Sequence, residues 1–224
     1  MSEIAGKIEF IKKKIGNGVK LVAVSKTKPP EDILEAYKSG HRIFGENKVQ
    51  ELVYKHETLP QDIEWHMIGH LQTNKVKYIA SFISLVHSVD SLKVLRAVNN
   101  EAKKNNRIIS CLFQVKIAQE DTKYGFSFGE LIDVLESEEF STFTNVKFAG
   151  LMGMATFTDS DEQIREEFRL LKNYFQELKN SYFSNIDYFS EISMGMSDDY
   201  EIAIEEGSTM IRVGSNIFGE RIYL

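Results

Sequence analysis

The run Lys20-Leu21-Val22-Ala23-Val24-Ser25-Lys26-Thr27-Lys28-Pro29-Pro30 decides how this chain is read. Leu21 to Ser25 carry no charge and include two β-branched valines, which suits a short strand buried on both faces, as in a parallel sheet. Lys26 follows where that strand emerges, and Pro29-Pro30 opens a helix. A lysine at such an exit has a fixed base with a pocket above it. Burial of its stem would depress its pKa and leave a free amine able to attack a carbonyl, the preparation that Schiff-base chemistry needs. The plainer alternative is a solvated lysine that ends a strand, and the rest of the chain decides between the two.

On the N-terminal side, Ile4, Ile8, Ile11 and Ile15 recur at helical spacing and stop at Gly16-Asn17-Gly18, so an amphipathic helix precedes the first strand. On the other side, the helix carrying Ile33, Leu34 and Tyr37 stops at Gly40 and leads to a strand His41–Phe44. A turn over Gly45–Glu51 then opens the next helix. The alternation continues with strands at Ile63–Ile68, Ile83–His87, Arg107–Ile117, Val146–Leu151, Tyr188–Ile192 and Met210–Val213. Helices fall at Thr73–Ala80, Ser91–Lys104, Phe128–Glu136, Glu162–Lys179 and Asp198–Glu206, the last behind Ser197 as N-cap. Ile164, Phe168, Leu171, Phe175 and Leu178 give the Glu162 helix its apolar stripe, and Ser160 with Gln163 makes a capping box.

Eight strand–helix units without a linker, repeat or low-complexity tract predict one closed (β/α)8 barrel over residues 1–224, with the N-terminal helix as an addition. An open doubly wound sheet is the alternative. The barrel is preferred because only closure brings the loops that look chemical to one mouth.

Composition excludes several classes. With 27 basic against 33 acidic residues the net charge is -6, and no basic block interleaved with aromatics suggests a nucleic-acid surface. No signal-type stretch opens the chain and no apolar run is long enough for a membrane span, so a cytoplasmic location is expected. The single cysteine, Cys111, has no partner for an internal disulfide and lies in an apolar run, which fits a core residue in a reducing compartment. His66 and His70 are four apart, but on a strand and loop rather than a helix, so they are not read as metal ligands.

The last two strands are followed by Ser193-Met194-Gly195-Met196-Ser197 and Gly214-Ser215-Asn216. In a barrel these positions commonly hold phosphate through backbone N–H groups, hydroxyls and helix N-termini, although glycine and serine also make ordinary turns. Arg212 lies inside the eighth strand between Ile211 and Val213, so its charge is directed into the barrel or held by a partner. If a phosphorylated ring lay between Lys26 and Gly214, a guanidinium there could donate to a ring nitrogen. Met152 and Met154, after the sixth strand, are read as core packing.

With these features in hand the chain resembles the pyridoxal-phosphate homeostasis family, single-barrel relatives of the alanine racemase N-terminal domain. The resemblance is carried by Val22–Lys28, Phe44-Gly45-Glu46-Asn47-Lys48-Val49-Gln50-Glu51, Trp65–Lys75, Gly150-Leu151-Met152, Ser193–Asp199 and Ile211–Gly219. It implies that Lys26 holds pyridoxal 5′-phosphate as a Schiff base and that Ser193, Gly214 and Ser215 hold its phosphate. It also implies that Arg212 faces the pyridine nitrogen and that Asn47 sits near lysine and cofactor. Ser215 stands where threonine is frequent and Asn216 where a small residue is frequent.

Racemisation needs an acid and a base on opposite faces of the substrate carbon. The racemase resemblance takes the second from a tyrosine in a further domain, which this sequence, reaching Leu224 just after the barrel, is expected to lack. An arginine at the ring nitrogen also weakens the ring as an electron sink. The expectation is therefore cofactor homeostasis, by buffering or delivery with effects on amino-acid and keto-acid balance, with no firm catalytic activity. A small amino-acid racemase is the alternative, and a cofactor-free structural barrel stands third. Amino acids and pyridoxal-phosphate-dependent apoenzymes are the further partners implied, with neither nucleic acid nor membrane, and a monomer that at most dimerises weakly.

Overall fold

Short apolar runs bounded by glycine, proline or polar turns become strands. The computed structural model, which describes residues 2–119 and 124–219, holds eight of them. They are β1 (Lys20–Val24), β2 (Ile43–Glu46), β3 (Glu64–Met67), β4 (Leu85–Val89), β5 (Ile109–Gln114), β6 (Val146–Met152), β7 (Glu191–Ser193) and β8 (Met210–Val213). All pair in parallel in chain order, and β1 closes on β8 with Val22 opposite Arg212. The closed barrel therefore replaces the open-sheet alternative.

The helices are α1 (Glu3–Ile15), α2 (Pro30–Lys38), α3 (Val49–Thr58), α4 (Leu92–Lys104), α5 (Phe128–Glu136), α6 (Asp161–Ser181), α7 (Tyr200–Glu205) and α8 (Ser215–Phe218). The segment after β3 forms a 3-10 helix, Thr73–Tyr78, rather than an α-helix. As expected, α1 lies outside the strand–helix alternation. It is tied to α2 where Ile4 N–H donates to Glu35 Oε1 at 3.2 Å.

Several boundaries move for visible reasons. His41 and Arg42 are drawn away from β2 because Arg42 Nη1 donates to the Tyr37 and His41 carbonyls, closing the end of α2. Arg107 stays outside β5 because its guanidinium binds the Ala80 and Ile83 carbonyls at the foot of the barrel. Ser160 accepts from Gln163 N–H, but the Gln163 side chain reaches Glu167 instead of returning, so only half of the expected capping box forms. Asp199, not Ser197, stands at the N-cap of α7.

Alternation along each strand splits the core into two layers. Leu21, Ala23, Ile211 and Val213 point outward to the helices, where Leu52, Leu95 and Leu171 are fully buried and each contributes about 1.5–3 kcal/mol. Val22, Leu85, Leu112, Ala149, Met152 and Met210 fill the barrel's interior. Gly150 sits at φ +151° beside a register shift between β5 and β6, and a Cβ there would lie 1.8 Å from the Glu191 carbonyl oxygen, so β6 and β7 can pair only with glycine at this point. Cys111 is buried in the outer layer, where burial pushes its thiol pKa up and keeps it from acting as a nucleophile. Among the described residues no helix is long and apolar enough to cross a membrane.

Candidate functional site

Counting in twos along the inner faces builds the site. Val22 and Val24 lead to Lys26, Ile43 and Gly45 to Asn47, His66 to Ile68, and Met210 and Arg212 to Gly214. Lys26, Asn47, Ile68, Arg212, Gly214 and Ser215 line one cleft of about 350 Å³ at the C-terminal ends of the strands, together with Met154, Phe157, Met196, Ser197 and Asp198. The structure thus brings together five of the six residues singled out in the sequence: Lys26, Asn47, Arg212, Gly214 and Ser215.

Lys26 is half-buried, and the peptide groups on either side of it are tied to a buried charge network. Ser25 Oγ donates to Glu46 Oε1 at 2.7 Å, while Lys55 Nζ donates to the same oxygen at 2.7 Å and to the Ser25 carbonyl at 2.8 Å. Thr27 N–H donates to Glu51 Oε2 at 2.7 Å. Burial raises the Glu46 pKa against the pull of Lys55, and Glu46 Oε2 has no hydrogen-bond partner among the described residues. Held this way, Thr27 adopts φ +64°, a left-handed conformation that costs a β-branched residue about 1–3 kcal/mol. Strain of this kind is kept only where surrounding structure imposes it, here immediately after the lysine.

On the neighbouring strand β8 Arg212 is buried, with Nη1 donating to Ser193 Oγ at 2.7 Å and Nη2 to the Gly153 carbonyl at 3.1 Å. Burial pushes its pKa down to about 10, opposed by Asp199, and it remains a cation at neutral pH. Two of its five N–H donors are committed in this way. Ser193 is the predicted residue that does not reach the cleft. It pairs in register with Met210, one inward step below Arg212, and is fully buried. Its Oγ also lies 3.0 Å from His87 Nδ1, and His87 Nε2 lies 3.0 Å from His66 Nδ1. Burial holds the His66 pKa down at about 3 and His87 well below its usual value, with neighbouring positive groups adding to both. His70, the other half of the four-residue spacing, is on the rim, bound to Asp90 at 2.9 Å and stacked on Tyr124.

Ser197 occupies the mouth position expected of Ser193. Its Oγ accepts from Gly214 N–H at 3.2 Å, and its carbonyl accepts from Asn216 Nδ2 at 2.9 Å. Asn216, the residue that departs from the family pattern, therefore ties the loop after β8 to the loop after β7. The expected helix-dipole contribution is corrected: α7 has six residues and α8 four, too short for a developed macrodipole, which leaves hydroxyls and backbone N–H groups as the donors. At Gly214 an added Cβ would stand 3.2 Å from the Val24 carbonyl oxygen and 3.3 Å from Val24 Cβ, tighter than ordinary van der Waals contact, so a side chain there would press the loop and β1 apart by a few tenths of an ångström. The serine choice could have been made from the sequence by matching depths. If Arg212 is inside the barrel, the mouth lies two residues later on β8 and correspondingly beyond Ser193 on β7.

The family described as "Alanine racemase, N-terminal domain" matches residues 1–222. The pyridoxal phosphate homeostasis protein of Aquifex aeolicus is 39% identical over 227 residues, spanning 100% of this chain and 97% of that protein. PipY of Synechococcus elongatus superposes with a TM-score of 0.90 in its structure without PLP, at 33% identity over 96% of this chain and 100% of that one. Its structure with PLP bound superposes at 0.86 and 32% identity, with the same coverage. Alanine racemase from Bartonella henselae, with covalently bound pyridoxal phosphate, shares the fold alone: TM-score 0.70 at 12% identity, covering 99% of this chain and 61% of that one.

Proposed function

Since this chain belongs to the pyridoxal phosphate homeostasis family, built on the alanine racemase N-terminal domain, we propose that it binds pyridoxal 5′-phosphate and acts in intracellular homeostasis of that cofactor, without firm catalytic activity of its own. The observation that carries this reading is the cleft in which Lys26 from the β1 exit meets Arg212 of β8 and the Ser197 and Gly214–Ser215 loops. The donor set fits the cofactor: an amine for its aldehyde, a guanidinium for its ring nitrogen, and for its phosphate two hydroxyls beside a glycine whose place a Cβ would crowd.

Lys26 holds the cofactor through a Schiff base, with Asn47 beside it. Ser197, Gly214 and Ser215 hold the phosphate, and Ser193 contributes from beneath through Arg212. When bound, the cofactor supplies an aldehyde that condenses with amines and a ring that can withdraw electrons. Arg212, buried and cationic, donates to the ring nitrogen and keeps a proton off it, which favours holding the cofactor over driving carbanion chemistry. The same reading has one domain over residues 1–224, at work in the cytoplasm as a monomer, handing the cofactor to apoenzymes and admitting amino acids.

Borohydride reduction followed by peptide mass spectrometry is expected to find the cofactor on the peptide containing Lys26. Label on another lysine, or on none, overturns the assignment. In deuterated water the loaded protein is expected to incorporate little deuterium at Cα of L-alanine and to form no D-alanine. Rapid and complete racemisation would instead promote the racemase alternative.

A further inference from the structure

The buried run Arg212, Ser193, His87, His66 crosses the barrel's interior from β8 through β7 and β4 to β3, and one direction of its hydrogen bonds gives the serine proton a partner. A guanidinium has donors only, so Ser193 Oγ accepts from Arg212 Nη1 at 2.7 Å. The serine's own proton finds its acceptor in His87 Nδ1, 3.0 Å away, when that nitrogen is unprotonated, whereas a protonated Nδ1 would leave the buried hydroxyl proton without a partner. A neutral His87 carries its proton on Nε2 and donates it to His66 Nδ1 at 3.0 Å, which fixes the His66 proton on Nε2 as well. Burial and the nearby Arg212 charge both hold His87 neutral.

We propose that Ser193 and His87, backed by His66, are positioning residues for Arg212. The proposal deepens the function proposed above and rests on its assignment of Arg212 to the ring nitrogen. An arginine at the floor of an open cleft has many rotamers to choose from. Here Nη1 is held by Ser193 and Nη2 by the Gly153 carbonyl, which fixes the guanidinium plane and leaves further N–H donors for a ligand. Neither anchor is a carboxylate, so the head group is held by neutral partners, while Asp199 acts on its charge without being one of the two anchors. With the serine proton given to His87, the two histidines hold the serine rotor, and the serine holds the arginine.

Two measurements test this. In protein labelled with 15N at histidine, with and without cofactor, both rings are expected to show protonated Nε2 and bare Nδ1 from about pH 5 to about pH 8. A His87 ring protonated on Nδ1 overturns the chain. Affinities for pyridoxal phosphate and for its 1-deaza analogue, which lacks the ring nitrogen, are then compared. The unmodified protein is expected to prefer the nitrogen by about tenfold. The preference should shrink to within about twofold in Ser193→Ala and in His87→Gln, and return in Ser193→Thr, which keeps the hydroxyl. His87→Gln carries the test if Ser193→Ala does not fold. If Ser193→Ala and His87→Gln keep the full preference while Arg212→Met loses it, the positioning role is overturned and the Arg212 assignment stands. If Arg212→Met also keeps the preference, or the unmodified protein has none, the Arg212 assignment itself fails.

Discussion

The two cations that line the cleft are fixed by opposite strategies. Lys26 is anchored through its backbone: Ser25 and Thr27, on either side, are bound by Glu46, Lys55 and Glu51, and the network that does it contains a buried ion pair. Arg212 is anchored through its head group, by a serine and a carbonyl, with neutral histidines behind. The difference matches the roles proposed for each. An amine that is to form a covalent bond would need a firm base and a side chain directed to the cleft, whereas a guanidinium that is to set the electronics of a ring would need its plane held still. Charge can therefore support the lysine side from the rear, while the arginine side is served by neutral partners that leave its charge in place.

Acid should break the arginine side. A histidine buried neutral has a folded pKa below its unfolded value near 6.5, so the unfolded chain takes up the proton first. Its contribution is complete above pH 6.5 and is lost as pH falls toward about 3 for His66. His41, buried near the foot of β2 with its pKa pushed down to about 4, adds to the same trend. Stability by urea denaturation is expected to fall between about pH 6.5 and pH 4.5 with a slope approaching ~1.4 kcal/mol per pH unit for each histidine. His66→Gln should flatten part of that slope, and a profile level across the window would contradict the neutral chain.

The lysine side should break by mutation rather than by acid. Lys55→Met leaves Glu46 buried without its cation and is expected to cost about 3–5 kcal/mol, measured by urea denaturation at pH 7. Lys55→Met combined with Glu46→Leu should recover much of that loss, because no buried charge is then left unpaired. A single-variant loss below about 1 kcal/mol would mean that the pair is no anchor.

Smaller effects should separate the phosphate loops from both cations. Gly214→Val forces the loop away from Val24 and is expected to weaken pyridoxal phosphate binding by about tenfold while leaving unphosphorylated pyridoxal within about twofold. Equal losses for both ligands would remove Gly214 from the phosphate site. Asn216→Ala cuts an exposed tie between two loops and a long contact from Ser215 Oγ, and is expected to cost about 0.5–1 kcal/mol of stability, with the smallest change in affinity of the series.

The strand order and the barrel were legible in the sequence because each strand is a short apolar run between clear stops, and Lys26 and Arg212 were legible because a charge inside or ending such a run is conspicuous. Ser193 was misplaced for the opposite reason. A serine beside a glycine-bearing turn looks like a phosphate ligand, and only the register with Met210 shows that it lies below the mouth. The His66–His87 contact could not be read either: one residue sits on β3 and the other on β4, and nothing local links two inward positions of different strands. Lys55 was equally hidden, since a lysine in an amphipathic helix reads as solvated until the opposing Glu46 is placed.

The pairing of β1 with β8 has a consequence for how this protein comes into being. The residues on the two sides of the cleft belong to opposite ends of the described chain, and Lys28 Nζ donates to the Phe218 carbonyl across the same seam, 190 positions away in sequence. The cleft therefore forms only after seven further strands have followed β1: a nascent chain that has displayed Lys26 has no Arg212 or Gly214 to set against it until the eighth strand arrives. Once the ring is shut, a molecule gripping both sides acts as a clasp on the seam. It stabilises the closed barrel by mass action, by about 2.7 kcal/mol at a hundredfold excess over its dissociation constant, so on the function proposed above the resistance of the seam to opening would become a readout of how much free cofactor surrounds the protein.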